Sequence, residues 1–572
     1  MKLASLPILY SNSNKEMGSS SYGRISKKLI LLLTIAVCCG YIYHKSLAFR
    51  NEINLNPEDP KGGSAEIIDG TPAPPVSEYL LSEESERLTR KIPVSHVFVA
   101  SAYYYPTSKS LGNNAVAFNM VVDSKNFDIS KYTYNFVGAN GTHTESGLAI
   151  SQIEEEEMCR YAPTVARGNT VENLKKLELE SGGTKVEIPF KMARYTAPKP
   201  VIICISPQFV AEQWQIFLMH AHTAHRPFKV FKMIRLDSPA PDEYIIDHYF
   251  KFLSNLKSSR FGAHIHIYVI SIVKAYFELM KEYERQGYLT IENWMRMKFD
   301  KPGSQYFEPN LNTELRNQAG ALTDCLLQYK EAAEYIAFFD LDDVLFPLNY
   351  PTYLEEFNAE YAQKPDATSL VYGRREHEFI KAETLAEYDF HELVASLKTS
   401  YTRAGKVVVK PERHNTTWIH ASHREDPTKR IHIKTPHLIH VQRPIQKNGN
   451  NEIKDMWKSR FWRFNETIHE GDIAAIHEDI QRMKKNKEVA RIANGLPSRD
   501  FYFPVVFKCY LKQFYGRKLT ECPNAEKCVM PQRKDIKCMH TDAKYFSGPS
   551  SEPFTFHYFT NPFWSSDYGC YQ

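Results

Sequence analysis

Neither sign of charge is in excess in this sequence. Its 572 residues include 71 Lys and Arg against 67 Asp and Glu, a formal net charge of +4. Because nucleic-acid-binding proteins concentrate basic charge, this balance argues against a nucleic-acid partner. Internal repeats and long low-complexity segments are missing too. With 43% hydrophobic and 24% charged residues, the composition is that of a folded protein large enough for more than one structural unit.

Long apolar runs are scarce, and only LILLLTIAVCCGYIY, from Leu29 to Tyr43, is both long and uncharged. As a helix it would cover about 22 Å, which is short for a hydrocarbon core of about 30 Å but suits a thin membrane of the secretory pathway. Basic residues just before it favour a cytosolic amino terminus. We therefore predict a cytosolic tail (residues 1–28) and a signal-anchor (29–45) in a single-pass type II protein of the Golgi membrane. A signal peptide cleaved near residues 46–48 is the alternative.

Cysteine pairs with zinc-binding spacing are also lacking. Of the ten cysteines, eight lie outside the apolar run, and their even number and spacing favour disulfides over a CxxC zinc site. The sequence leaves their pairing open. Five of the eight crowd near the carboxyl terminus: Cys509, Cys522, Cys528, Cys538 and Cys570. Three N-glycosylation sequons also agree with a lumenal chain; they begin at Asn140, Asn415 and Asn465.

Beyond the anchor, composition divides the chain into four parts. Residues 46–95 are rich in Pro, Gly and acids and predict a flexible stem. Residues 96–195 carry strand patterns and predict a β-rich section. Residues 196–500 alternate strand and helix patterns, which predicts an α/β domain with a mainly parallel sheet, helices on both faces, and ligands beyond the carboxyl ends of the strands. Residues 501–572 form a Cys-rich carboxyl-terminal segment.

One predicted strand ends in three acids. The string YIAFFDLDDVLF, residues 335–346, runs from apolar residues into Asp340, Asp342 and Asp343. Like charges this close together at the end of a buried strand are costly unless a cation or a shared proton offsets their repulsion. The triplet therefore points to a bound partner.

Two chemistries fit the triplet. In a haloacid-dehalogenase-like phosphatase, Asp340 would be the nucleophile, although Val344 stands where such enzymes have Thr. In a sugar-nucleotide transferase, a divalent cation bridges the diphosphate leaving group, and carboxylate ligands suit Mn²⁺ or Mg²⁺. On this interpretation Asp342 binds the metal directly, Asp340 reaches the ribose or the metal through water, and Asp343 is structural.

Several segments carry a family resemblance. LRNQAGALTDCLLQYKEAAEYIAFFDLDD, from Leu315, resembles the stretch before the acidic motif of GT-A glycosyltransferases. CISPQFVAEQWQIFLMH, WMRMKF, KVVVKPERHNTTWIHASH and HLIHVQRP resemble further elements of one family. Across about residues 196–465 the chain resembles glycosyltransferase family 92, a galactosyltransferase-like group expanded in nematodes. The resemblance implies a GT-A type, Rossmann-like fold.

The resemblance also implies the reaction and its ligands. It would be an inverting, metal-dependent transfer of galactose from UDP-galactose to a glycan acceptor, such as a fucose on N-glycan cores. The sugar nucleotide would be bound by Arg316, Gln318 and Asp340. The metal, Mn²⁺ or Mg²⁺, would be held by Asp340, Asp342 and His440. His420 is the alternative third metal ligand.

The sequence leaves the general base and the activity itself open. An inverting transfer needs a group that takes the proton of the acceptor hydroxyl, and four acids are candidates for it: Asp343, Glu412, Asp455 and Asp472. The non-enzymatic alternative is a family member that binds glycans without turnover. The oligomeric state is not indicated.

Overall fold

The computed structural model describes residues 95–124, 133–153, 158–225, 262–299, 308–347, 349–446, 468, 470–515, 522–549 and 553–571. All of them belong to one compact unit, Val76–Gln572. The predicted tail (1–28), anchor (29–45) and stem up to residue 94 lie outside the described residues, as do Asp455 and Asn465. Within the described ranges, no helix is long and apolar enough to cross a membrane.

The described residues contain nineteen strands and eight α-helices. The strands are β1 Ser95–Tyr105, β2 Ala115–Asp123, β3 Thr133–Ala139, β4 Thr144–Ile153, β5 Tyr161–Asn169, β6 Lys176–Ser181, β7 Thr184–Glu187, β8 Lys191–Met192, β9 Val201–Gln208, β10 His264–Val269, β11 Ser271–Val273, β12 Leu289–Asn293, β13 Tyr335–Phe339, β14 Asp343–Leu345, β15 Ser369–Lys381, β16 Lys398–Val409, β17 Arg430–Gln446, β18 Lys537–Ser547 and β19 Phe554–Tyr568. The helices are α1 Trp214–His225, α2 Lys274–Arg285, α3 Gln318–Tyr329, α4 Tyr353–Gln363, α5 Phe390–Ser396, α6 Glu470–Lys484, α7 Lys487–Ala493 and α8 Phe503–Tyr515.

Eleven of these strands form the first sheet, in the order β11, β18, β19, β1, β2, β5, β4, β3, β6, β7, with β8 paired to β1. Its strands pair antiparallel, except that β1 runs parallel to both β19 and β8. All nine residues of β2 are buried, as expected for a strand that is covered on both faces. The β-rich section thus shares one sheet with the carboxyl-terminal hairpin β18–β19.

The second sheet has the order β12, β10, β9, β13, β16, β15, β17, β14. The four strands from β12 to β13 are parallel, as the strand and helix alternation predicts. Beyond β13 the sheet is mixed, because β16 is antiparallel to both of its neighbours while β15 and β17 are parallel. The result is a mixed α/β fold in which the parallel half ends at the strand that precedes the acidic triplet.

Helix α3 lies between the two sheets. Its Leu322 and Leu326 pack with Phe338 of β13 on the second sheet, and its Leu327 packs with Tyr103 of β1 on the first. All twelve of its residues are buried, because both of its sides face a sheet. On the other face of the second sheet, α1 packs against alternate residues of β9 and β13. The helices therefore cover both faces of the parallel half.

The cysteines outside the apolar run form four disulfides, which confirms the predicted class of bond. They are Cys159–Cys522, Cys204–Cys325, Cys509–Cys528 and Cys538–Cys570. The second joins β9 to α3, and the third joins α8 to the segment that follows it. Helices α3 and α8 both contribute residues to the candidate active site.

Candidate active site

The backbone gathers the three acids at the carboxyl end of β13. The five residues of β13 are buried, and a tight turn follows, in which the Asp343 N–H donates to the Asp340 carbonyl at 3.0 Å. Strand β14 then pairs antiparallel with β17, which places Asp343 opposite His440. The turn and this register together bring His440 to the acids.

Asp343 and His440 form a buried pair. The His440 Nδ1–H donates to Asp343 Oδ1 at 2.8 Å, and Lys406 and Arg374 lie 3.8 and 3.7 Å from Asp343 Oδ2. Burial would raise the pKa of Asp343, but His440 and the two cations outweigh it and hold that pKa well below its usual range. Burial would lower the pKa of His440, but Asp342 and Asp343 raise it to about 9. Asp343 is fully buried, and both of its carboxylate oxygens have cationic neighbours.

Asp340 has both carboxylate oxygens engaged. Oδ1 accepts from the Ser206 hydroxyl at 3.0 Å and from the Gln318 amide at 2.6 Å, and Oδ2 lies 2.6 Å from the Lys406 ammonium. Burial would raise the pKa of Asp340, but Lys406 outweighs it and lowers that pKa. Asp340 is therefore a fixed anion at the meeting point of β9, α3 and β16, and a ligand that binds to it has to share or displace these partners.

Asp342 is the most exposed of the three acids, with 30% of its side chain accessible. Burial raises its pKa to about 6, and Asp343 and Asp340 add to that rise while His440 opposes it. Asp342 thus lies among negative charges, and the His440 ring is the cation beside it, with Nδ1 3.7 Å from Asp342 Oδ1. A bound metal cation at this position would offset the repulsion between the acids.

The donor set fits a divalent cation. The ligand atoms of Asp342, Asp343 and His440 all lie within 4.8 Å of one another. Carboxylate oxygen and imidazole nitrogen are ligands that Mn²⁺ accepts. A metal here would take the place of the His440 proton, because imidazole binds metals in its unprotonated form.

His420, the alternative ligand, lies outside that trio. Its Nδ1–H donates to the Gly405 carbonyl at 2.9 Å, which leaves Nε2 as the nitrogen open to a ligand. Burial lowers the pKa of His420 to about 4, and Lys406 contributes to the decrease. The ring is therefore neutral at pH 7, and it lines the same cleft as the acids.

The acids open into a cleft of about 550 Å³, a size typical of small-ligand sites. Charged and polar lining comes from Asp340, Asp342, Arg374, Lys406, His420 and His440. Apolar lining comes from α8, through Phe503, Val506, Phe507, Tyr510, Leu511 and Phe514. The buried Glu212 anchors this helix by accepting the backbone N–H groups of residues 501, 502 and 503.

Arg316 and Gln318, the predicted sugar-nucleotide residues, both line the cleft. The Arg316 guanidinium donates to the Tyr510 hydroxyl at 2.6 Å and stacks 4.8 Å from the Phe209 ring centroid. The three residues 315–317 have φ values of 42°, 59° and 59°, a left-handed run that non-glycine residues seldom adopt. This turn starts α3 and directs Gln318 to Asp340.

Other predicted residues lie elsewhere. Glu412 is exposed in a short turn and Asp472 lies in the first turn of α6; neither is among the described residues that line the cleft. Asn140 lies at the turn between β3 and β4, where the three following residues are exposed. Asn415 is half-buried.

Sequence reasoning missed Ser206, Arg374 and Lys406. Lys406 is 1% exposed although it begins the apolar run KVVV, and a lysine next to such a run in a strand is the signal that could have marked it. Ser206 follows the apolar run of β9 in the way that Asp340 follows β13. Arg374 has no comparable signal, since it is one of two adjacent arginines.

Comparisons with known proteins identify one family. The model of glycosyltransferase family 92 matches residues 252–484. Three Caenorhabditis elegans proteins named as members of that family are similar to the chain. ZK381.2 is 52% identical over 501 residues, 86% of this chain and 93% of its own. F55C10.4 is 37% identical over 84% and 91%, and C33H5.2 is 30% identical over 83% and 90%.

Among solved structures, S. aureus TarS 1-349 in complex with UDP-GlcNAc matches with 9% identity and a TM-score of 0.20, over 45% of this chain and 61% of that chain. A likeness this slight carries no argument about the site. The sequence identity is decisive, because it extends over most of this chain and most of each relative. The chain belongs to glycosyltransferase family 92.

Proposed function

We propose that this glycosyltransferase transfers galactose from UDP-galactose to a glycan acceptor, such as a fucose on an N-glycan core, with inversion and with Mn²⁺ or Mg²⁺ bound. The observation that carries the proposal is the cluster of Asp342, Asp343 and His440 beside Asp340, of which Asp340, Asp342 and His440 line a cleft of about 550 Å³. The choice of galactose rests on the resemblance of the motifs to the galactosyltransferase-like family.

Asp342, Asp343 and His440 would hold the metal, and the bound metal would supply positive charge to the diphosphate leaving group. The chain adds charge of its own, because Arg374 lines the same cleft and a guanidinium suits phosphate oxygens. Lys406 neutralises Asp340 and so reduces its repulsion of the phosphates. Gln318, which donates to Asp340, would contact the nucleotide sugar.

The four disulfides support a place in the lumen of the secretory pathway, where thiols oxidise and such bonds persist. A Golgi membrane protein with its catalytic domain in the lumen, anchored by residues 29–45, fits this chemistry.

The test uses the full-length chain purified in detergent and measures UDP release from a panel of UDP-sugars in the presence of N-glycan acceptors. We expect release from UDP-galactose that needs Mn²⁺ or Mg²⁺, stops with EDTA, and falls at least about 100-fold in Asp342→Asn, the range seen when one transition-state stabilising group is lost. Asp366→Asn, at an exposed position, is the matched control and should keep wild-type turnover.

Two results would point elsewhere. Hydrolysis of p-nitrophenyl phosphate that is lost in Asp340→Asn would favour the phosphatase chemistry. Binding of the acceptor glycan without release of UDP from any donor would identify a glycan-binding member without turnover.

A further inference from the structure

A second group of metal-ligating side chains lies outside the cleft, where α5 packs against α6. Asp389 caps the amino terminus of α5, and its Oδ1 accepts the Glu392 N–H at 3.1 Å. His391 belongs to the first turn of α5, and His477 lies in the middle of α6. The ligand atoms of Asp389, His391 and His477 all lie within 4.8 Å of one another.

The two imidazoles converge on one carboxylate without bonding to it. His391 Nδ1 and His477 Nδ1 lie 3.8 and 3.7 Å from Asp389 Oδ1, which is too long for a hydrogen bond. The ring centroids are 4.3 Å apart. His477 Nδ1 is buried and has no hydrogen-bond partner among the described residues, an arrangement that native structures seldom leave unexplained.

The separations match a small coordination shell. With metal–ligand bonds of about 2.0–2.1 Å, the ligand atoms of a tetrahedral zinc site lie about 3.4 Å apart. The two observed distances exceed this by only a few tenths of an ångström. Both imidazoles would have to rotate slightly to reach these distances, and the His391 side chain is half-exposed, with 52% of it accessible.

Charge and space also suit a cation. Asp389 supplies a carboxylate, and imidazole binds a metal in its unprotonated form. The Lys484 ammonium donates to the carbonyls of residues 386 and 388 at 3.0 and 2.8 Å. An adjoining cavity of about 290 Å³, lined by Asp389 and three glutamates, has room for water ligands.

We propose that Asp389, His391 and His477 bind a zinc ion, with water completing its shell, and that this ion joins α5 to α6. Two imidazoles with one carboxylate suit Zn²⁺, whereas the carboxylate-rich cleft suits Mn²⁺ or Mg²⁺. The ion would stabilise the layer beside the second sheet, because α6 also holds α1 through the bond of 2.7 Å between Asp479 and His222.

The test measures Zn²⁺ binding to the EDTA-dialysed full-length chain by competition with a chromophoric chelator, and the visible spectrum of the Co²⁺-substituted chain. Loss of a hydrogen-bond partner of a metal ligand already weakens metal binding about 10–100-fold. Loss of a ligand itself in His391→Ala or His477→Ala should therefore weaken zinc binding at least about 100-fold. Asp342→Asn, which alters the cleft, and His432→Ala, at an exposed histidine, should bind one zinc ion as the wild type does.

Folding is checked by the melting temperature in EDTA, which His391→Ala should leave unchanged, while the rise in melting temperature on adding Zn²⁺ should disappear. The proposal is overturned if His391→Ala and His477→Ala bind zinc as tightly as the wild type. It is equally overturned if Asp342→Asn alone abolishes binding, or if the wild-type chain binds no zinc.

Discussion

Removing the ammonium of Lys406 should destabilise the whole fold, because that group neutralises the buried Asp343 and the partly buried Asp340. Its Nζ lies 2.6 Å from Asp340 Oδ2 and 3.8 Å from Asp343 Oδ2, and it donates to the Ile419 carbonyl at 3.1 Å. The side chain is 1% exposed. In Lys406→Met, the methionine side chain fills similar space and the positive charge is lost.

The distances set the size of the effect. At an effective dielectric constant of about 20, unit charges 2.6 and 3.8 Å apart attract by about 6 and 4 kcal/mol. The cost of taking the ammonium out of water offsets a large part of this sum. Breaking a buried pair by removing one partner costs about 3–5 kcal/mol in measured cases, and we expect Lys406→Met to lower the free energy of unfolding by that amount.

Urea denaturation in EDTA at pH 7 measures the loss. Lys281→Met is the matched control, since Lys281 pairs with Glu284 at the surface, where a pair contributes at most about 1 kcal/mol. In a double-mutant cycle, Asp340→Asn should cost at least about 1 kcal/mol less when Lys406 is already Met. Equal losses in Lys406→Met and Lys281→Met, or an additive cycle, would refute this account of the site.

Two further predictions concern the second sheet. Glu356 on α4 is buried, which raises its pKa to about 7 although the Tyr372 hydroxyl, bonded to it at 2.7 Å, opposes the shift. The folded chain holds the Glu356 proton more tightly than the unfolded chain does, so protonated Glu356 stabilises the fold fully below about pH 4.5. This contribution, up to about 3 kcal/mol, is lost as the pH rises through 7. Urea titrations from pH 5 to 8 should show a smaller loss of stability in Glu356→Gln than in the wild type, and equal pH slopes would contradict the prediction. A Cβ at Gly405 would lie 1.4 Å from the Tyr372 carbonyl oxygen, so Gly405→Ala should cost at least about 3 kcal/mol. Gly471→Ala, with nothing within 4 Å of the added carbon, should melt within a few degrees of the wild type, and similar melting of the two variants would contradict the expected clash.

Local patterns predicted the features that depend on neighbouring residues. The apolar runs of β9, β10 and β13 predict buried parallel strands, and the abrupt end of β13 predicts a cluster of acids at the edge of the sheet. The cysteine spacing predicts disulfides. The buried strands and the acids follow from side chains within one strand or one turn, whereas the cysteines indicate the class of bond and leave the pairs open.

The contacts of the candidate site that the sequence did not predict depend on pairing between distant segments. His440 meets Asp343 because β14 and β17 pair in one register, and the sequence does not reveal this contact without that register. Lys406 reaches Asp340 because β16 lies antiparallel beside β13. The proposed zinc site likewise combines Asp389 and His391 with His477 of α6, about 85 residues further along the chain. Hydrophobic periodicity carries no information over such a distance.

The parallel pairing of β1 with β19 joins the first described strand to the last, so it can form only when synthesis is nearly complete. Ser95 pairs with Phe554, so 459 residues (554 − 95) separate the two partners. At about 5–20 residues per second, roughly 20–90 s pass between the emergence of the first strand and that of its neighbour. Throughout this interval one edge of β1 has open backbone groups, the condition that invites pairing with other chains. The acidic cluster lies on the second sheet, and all of its residues are synthesised before the first sheet is complete.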